Sequence, residues 1–309
     1  MAGVPFELTE GHQVQLLQGA QELFPALIAA MDAALSDIQF ETYIFDFTGT
    51  ATEVAQALMR AARRGVRTHL VVDGVGTGRL PQDWADRLRA AGVHCRVYSP
   101  LGPLGLLLPR RWRRLHRKLC VVDGRVLFCG GINVLDDFHD PNHGRLVAPR
   151  FDFAVQATGA LVGVASDAME QLWWRMQAVR DASQRRLPEA LQALRAASAA
   201  HHAAPDADTS PGMRAALLLR DNVRHRSRIE KAYRRAIAAA REEIIIANAY
   251  FVPGRKLRVA LQMAARRGVR VRLLLQGRYE YFMQYHAARP VYGALLKAGV
   301  EIHEYAPSF

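Results

Sequence analysis

The stretch AARRGVRTHLVVDG at residues 61–74 recurs as AARRGVRVRLLLQG at 264–277. A repeat of that length constrains the fold before any single residue is weighed, because two copies of one supersecondary unit imply two related halves. The likeness extends in both directions. Upstream, IQFETYIF (38–45) answers IIIANAYF (244–251), and each comes after an Ala-rich segment of helical pattern, FPALIAAMDAALSD (24–37) and IEKAYRRAIAAAREE (229–243). Downstream, AAGVHCRVYSP (90–100) answers KAGVEIHEYAP (297–307). Each copy reads helix, strand, helix, strand, helix, strand. The strands are continuous apolar runs of the kind buried on both faces between helices, so the expected class is α/β.

Between the copies, AASAAHHAAPDADTSPG at 196–212 is small, polar and Pro-bearing, which predicts a linker between a first half at 1–195 and a second at 213–309. His201 and His202 lie in it and read as solvated linker rather than as metal ligands. The first copy runs on well past its third strand, whereas Phe309 comes almost directly after the third strand of the second. The second half is therefore expected to be incomplete, cut off before any counterpart of the segment that continues the first.

That continuing segment contains LHRKLCVVDGRVLFCGGIN at 115–133. Asp123-Gly124 between two apolar, β-rich runs is a two-residue hairpin signal. His116 and Lys118 stand two apart on the strand entering that hairpin, so their side chains share a face. An imidazole beside an ammonium suits attack on a phosphodiester. The His can act as nucleophile or as general acid or base, and the Lys offers a fixed charge to the non-bridging phosphate oxygens. The chain has 37 Arg but only four Lys, so Lys118 is not a product of the local basic habit.

With Gly130, Gly131 and Asn133 added, the pattern is HxKxxxxD and then GGxN. That signature resembles the phospholipase D superfamily. The likeness covers nearly the whole chain, through ETYIFDF, AARRGVR, the RRxHRK approach, FDFAVQATGALV and the stretch from IIIANAYFVPG to EIHEYAPSF, and is greatest to the bacterial cardiolipin synthase type without transmembrane helices. The resemblance implies a duplicated fold with a mixed sheet flanked by helices in each half. It also implies a covalent phosphohistidine mechanism that uses no metal or other cofactor. His116 would be the nucleophile or the acid that protonates the leaving alkoxide, and Lys118 and Asn133 would hold phosphate oxygens. Asp123, the third member of the signature, would tie the hairpin down without moving a proton. Asp152 stands where the family often places the carboxylate that orients the His. A full site of this kind needs two His and two Lys, and only one such motif is present.

Residues 1–59 hold eight acidic side chains and no Lys or Arg, which leaves the rest of the chain with all 41 basic groups and a formal charge near +20. So basic a surface favours an anionic partner, and charge alone does not separate nucleic acid from acidic lipid. The apolar PLGPLGLLLP (100–109) running into RRWRRLHRK (110–118) has the character of a segment drawn to an anionic membrane surface, and RDNVRHRSRIEKAYRR (220–235) is a second basic stretch that opens a helix. No secretory leader is visible, and no run of 18 apolar residues exists to cross a bilayer. Cys95, Cys120 and Cys129 are unpaired in pattern and read as buried reduced thiols. Trp173 and Trp174 are expected to pack a helix on the sheet. GVGTG (74–78) lacks the spacing of a nucleotide loop.

The resemblance, taken with the repeat and the charge, implies one expectation and two rivals. The expectation is a cardiolipin synthase-like phosphatidyltransferase acting on phosphatidylglycerol at the cytoplasmic face of the cell membrane, peripherally bound. The rivals are a phosphodiesterase of the same superfamily acting on nucleic acid, and a membrane-binding fragment with no catalysis of its own.

Overall fold

The computed structural model describes residues 8–100, 113–140, 144–199, 212–220, 227–249, 251–277 and 291–308. The expected membrane-facing segment at 101–109, the first three residues of RRWRRLHRK and His201 and His202 fall outside them. The chain divides into two compact units, one of Glu7–Leu146 with Phe151–Leu217, the other built mainly from Leu218–Phe309 with Val147–Arg150.

The larger unit runs β1 (Thr9–His12), β2 (Val14–Gln18), α1 (Gly19–Ala33), β3 (Asp37–Thr42), α2 (Ala51–Arg63), β4 (Arg67–Asp73), α3 (Gln82–Ala90), β5 (His94–Tyr98), β6 (Leu119–Val122), β7 (Val126–Gly130), β8 (His139–Asp140), β9 (Gly144–Arg145), β10 (Phe153–Thr158), α4 (Leu161–Ser183), α5 (Leu187–Ala199) and β11 (Met213–Ala215). Helix α5 takes in the first four residues of the expected linker. Seven strands form one mixed sheet in the order β2-β10-β7-β6-β3-β4-β5. Strands β3, β4 and β5 are parallel, as the repeat's helical crossovers require, whereas β6, β7, β10 and β2 join antiparallel.

Alternation along the strands divides the core into two layers. Ile38, Phe40, Cys120 and Val122 face α1 and α2, where they meet Leu27, Met31 and Leu58. Leu119, Val121 and Leu127 face Val162, Ala165 and Met169 of α4. Trp173 packs from α4 against Val71 and Leu115, the structural role expected for it. Sequence reading did not foresee that β3 buries all six residues while carrying Asp37, Gln39, Glu41 and Thr42 among them. Of the thiols, Cys120 is buried, but Cys95 and Cys129 are only half-buried.

The smaller unit contains α6 (Arg228–Ala239), β12 (Glu243–Asn248), α7 (Arg255–Arg266), β13 (Arg270–Gln276) and β14 (Glu301–Tyr305), with residues 291–296 helical. Its strands are parallel in the order β12-β13-β14. The repeat is visible atom by atom. Arg64 Nη2 donates to the carbonyls of Met31 and Ala34 at the end of α1, and Arg267 Nη2 donates to those of Ile237 and Ala238 at the end of α6. Gly65 and Gly268 then stop α2 and α7 at φ 91° and 89°, a left-handed turn that a side chain resists. The copies differ in burial. Val271, Leu273 and Leu275 are buried on β13 in strict alternation, and among the described residues no helix covers the sheet's second face there.

Candidate active site

The motif hairpin is built by Asp123 and Gly124, both at positive φ (52° and 62°), as the central residues of a turn closed by Arg125 N–H to the Val122 carbonyl. The ladder resumes at Val126, so the loop holds three residues rather than the expected two. Asp123 fixes this turn to the chain before β3. Its carboxylate accepts hydrogen bonds from the backbone N–H of Leu35, Ser36 and Asp37 at 2.8–2.9 Å and from the Ser36 hydroxyl at 2.9 Å. Partial burial works to raise the Asp123 pKa, but these donors outweigh it and hold the carboxyl below its ordinary range.

His116 and Lys118 precede β6 instead of lying on it, because the ladder with β3 begins at Leu119. They are nonetheless side by side: Lys118 Nζ lies 3.3 Å from His116 Nε2 and 3.5 Å from Nδ1. Burial lowers the Lys118 pKa to about 8, against the pull of Asp152. Burial and the neighbouring ammonium lower that of His116, while Asp73 works the other way. Both effects favour the neutral imidazole beside the ammonium.

Asp152 is brought to the same place by a close approach that only glycine allows. A Cβ on Gly131 would lie 2.2 Å from Asp152 Oδ1, and one on Gly130 would lie 2.4 Å from the Ala154 Cα. The paired glycines of the motif therefore let β10 and its Asp152 carboxylate close against the end of β7. Oδ1 also accepts from the Phe153 N–H at 2.8 Å. Asn133 turns its Oδ1 to the Ile44 N–H at 3.0 Å, which leaves its NH₂ as the donor end.

Two site residues went unnoticed in the sequence. Asp73, fully buried at the end of β4, accepts the Leu115 N–H at 2.7 Å and thereby fixes the chain one residue before His116. Its other oxygen takes the N–H of Val75 and Gly76 at 2.8 and 3.1 Å. The glycine-rich 74–78 loop thus turns its N–H groups inward onto a carboxylate. Tyr43 has its ring 4.8 Å from the His116 ring and 5.4 Å from Lys118 Nζ, and its carbonyl accepts the Thr77 hydroxyl at 3.1 Å. The available signal for Asp73 was the repeat, since the matching position in the second copy is Gln276.

An imidazole and an ammonium stand side by side just before β6, with the Asp152 carboxylate at the start of β10 acting on the ammonium, an arrangement that can grip and attack a phosphate. Comparison with known proteins gives this chemistry a context. Residues 27–147 and 233–309 match the cardiolipin synthase, phospholipase D-like domain family. Cardiolipin synthase B of Escherichia coli K12 is 34% identical over 306 residues, covering 96% of this chain and 67% of that protein. A cardiolipin synthase of Geobacillus kaustophilus is 30% identical over 298 residues, covering 96% of this chain and 56% of its own. Among solved structures, the phosphatidylserine synthase of Haemophilus influenzae superposes with a TM-score of 0.57 at 11% identity, over 97% of this chain and 76% of that one, a likeness of fold.

Proposed function

The chain belongs to the cardiolipin synthase, phospholipase D-like family, and on that footing we propose that His116 forms the phosphohistidine in transfer of a phosphatidyl group from phosphatidylglycerol to the hydroxyl of a second phospholipid, in a site that a second His and Lys complete. The observation that carries this reading is the Lys118 ammonium 3.3 Å from the His116 imidazole, whose pKa burial and that same charge lower. A neutral imidazole has the lone pair a nucleophile needs. Its nitrogen attacks phosphorus as the bond to the glycerol headgroup breaks, and the departing alkoxide takes a proton from solvent water. The acceptor hydroxyl then attacks the same phosphorus, the phosphorus–nitrogen bond breaks to return the histidine, and the hydroxyl proton goes to the hydroxide left by that water. Lys118 and the Asn133 amide stabilise the charge on the non-bridging oxygens, so the reading calls on no metal. Asp123 has a different task, since its oxygens are taken by the 35–37 backbone. Asp152, beside the pair, orients the imidazole and sustains the charge on Lys118.

Transfer to a lipid acceptor requires the protein at a membrane surface. Among the described residues no helix is long and apolar enough to cross one, and we place the protein peripherally on the cytoplasmic face, held by its basic surface. The test is incubation with vesicles of ³²P-labelled phosphatidylglycerol. Cardiolipin and free glycerol should form in equal amounts, acid-labile label should remain on the protein, and His116→Ala should lose both by about 10³-fold or more. Cleavage of single-stranded DNA without any lipid product would transfer the site to nucleic acid, and product formation unaffected by His116→Ala would remove His116 from the mechanism.

A further inference from the structure

Arg117 stands between the two motif residues, and its partner has no part in the chemistry above. The ladder of β3 with β6 ends at the pair Glu41–Leu119. Residues 116–118 run on past it, so something other than sheet pairing must hold them. Two backbone ties are visible, Leu115 N–H to Asp73 Oδ2 at 2.7 Å and Gly130 N–H to the Lys118 carbonyl at 3.3 Å. The third tie is a side-chain pair: Arg117 Nε lies 3.0 Å from Glu41 Oε2. We propose that Glu41 is a positioning residue, which through Arg117 holds the motif segment from its reverse side so that His116 and Lys118 present their side chains together. The inference rests on the phosphoryl-transfer role of that pair.

Alternation supports the geometry. Even-numbered residues of β6 face α1 and α2, while odd-numbered ones face α4. Arg117 extends the odd series, and Glu41 lies on the α4 side of β3, in a small pocket with Gln39, His69 of β4 and Met169, Glu170 and Trp173 of α4. In that pocket burial lowers the His69 pKa to about 4, so the imidazole is uncharged at neutral pH and the opposite charge for Glu41 comes from Arg117. Glu41 itself is 1% exposed, and its oxygens have no aligned hydrogen-bond donor among the described residues, so the contact with Arg117 is one of charge. Burial raises its pKa to about 7 despite Arg117. An acid in that position weakens the fold when ionised, so a stability role does not explain it. The pair, buried at its Glu41 end and partly exposed at Arg117, instead fixes where Arg117 and the residues on either side of it lie.

The test is a double-mutant cycle of Glu41→Gln and Arg117→Gln in the full chain, read by steady-state kinetics on phosphatidylglycerol vesicles, amide hydrogen exchange and thermal melting at pH 8. Each single variant should lower kcat about tenfold or more with KM little changed, as expected for misplacement of reacting groups. The double variant should be no worse than the worse single. Exchange at residues 116–118 should quicken while that of β4 stays as it was, and Arg117→Lys should retain more of kcat than Arg117→Gln. Glu41→Gln should not lower the melting temperature at pH 8, which separates positioning from support of the fold. Unchanged kcat and exchange in both singles, or losses that multiply in the double, would overturn the proposal. If Glu41→Gln does not fold, the two variants of the partly exposed Arg117 decide it by the same readouts. If the wild-type chain turns over no lipid, the assignment of substrate fails while the exchange cycle still judges Glu41.

Discussion

In the proposed mechanism Lys118 must be charged to hold phosphate, and it is placed where charge is hard to keep. Burial sets its pKa at about 8, and the carboxylate of Asp152 prevents a larger fall. The proposed role of His116 runs in the opposite sense, since a nucleophile must be neutral, and burial with the Lys118 charge lowers its pKa below the ordinary histidine value. The active form is therefore the one with His116 deprotonated and Lys118 protonated. Turnover should rise as pH passes the depressed His116 value and decline as it passes about 8, a bell whose alkaline limb lies more than two units below that of an ordinary lysine. Lys118→Arg identifies the limb. A guanidinium keeps its charge through that range, so the variant, slower overall, should show no decline between pH 7.5 and 9.5 when kcat is measured across it. A limb that persists in the variant would assign the titration to another group.

At the scale of elements, the repeat expresses a shared mechanical device. In both copies the second arginine of ARRG reaches back across the helix that carries it to the last carbonyls of the preceding helix. Carbonyls at a helix end lack the partners of a full turn, and a guanidinium reaches two at once while favouring the negative end of the helix dipole. Arg64→Ala and Arg267→Ala should each destabilise their unit by about 1–2 kcal/mol, the usual worth of hydrogen bonds from a charged donor in a partly exposed setting. Urea unfolding with hydrogen exchange monitored in α1 and in α6 checks this, and an effect in one copy alone would show that the shared letters do not mean shared work. The helices, the parallel strands and the motif were legible because each arises from local pattern: period, a helix-stopping glycine, an Asp-Gly turn. The start of β6 was not. Whether His116 lies on a strand or just before one depends on where the ladder with β3 ends, and that is set by the pairing of Leu119 with Glu41, 78 residues earlier.

The whole molecule shows the same limit of sequence reading at larger scale. Asp73 and Glu41 sit inside apolar runs, and nothing adjacent in the chain marks them as buried acids with an assigned donor or cation. Their roles come from Leu115 and Arg117, which only the fold brings near. The family resemblance pointed to Asp152 as a carboxylate of interest, but the reason for the glycines beside it lies in how closely β10 passes β7. Charge is the property that sequence gives for the molecule at once: after residue 59 the chain carries a formal charge near +20 and 37 arginines. Attraction between such a surface and phosphatidylglycerol headgroups is long-ranged in dilute salt and is screened within ~3 Å at 1 M. Flotation with phosphatidylglycerol vesicles should therefore recover most of the protein at 50 mM NaCl and much less at 1 M, whereas phosphatidylcholine vesicles should bind little at either. His116→Ala, which removes no fixed charge and lies at one site, should float as the wild type does. Binding that ignores both salt and headgroup would mean that apolar insertion, rather than this charge, carries the protein to its substrate.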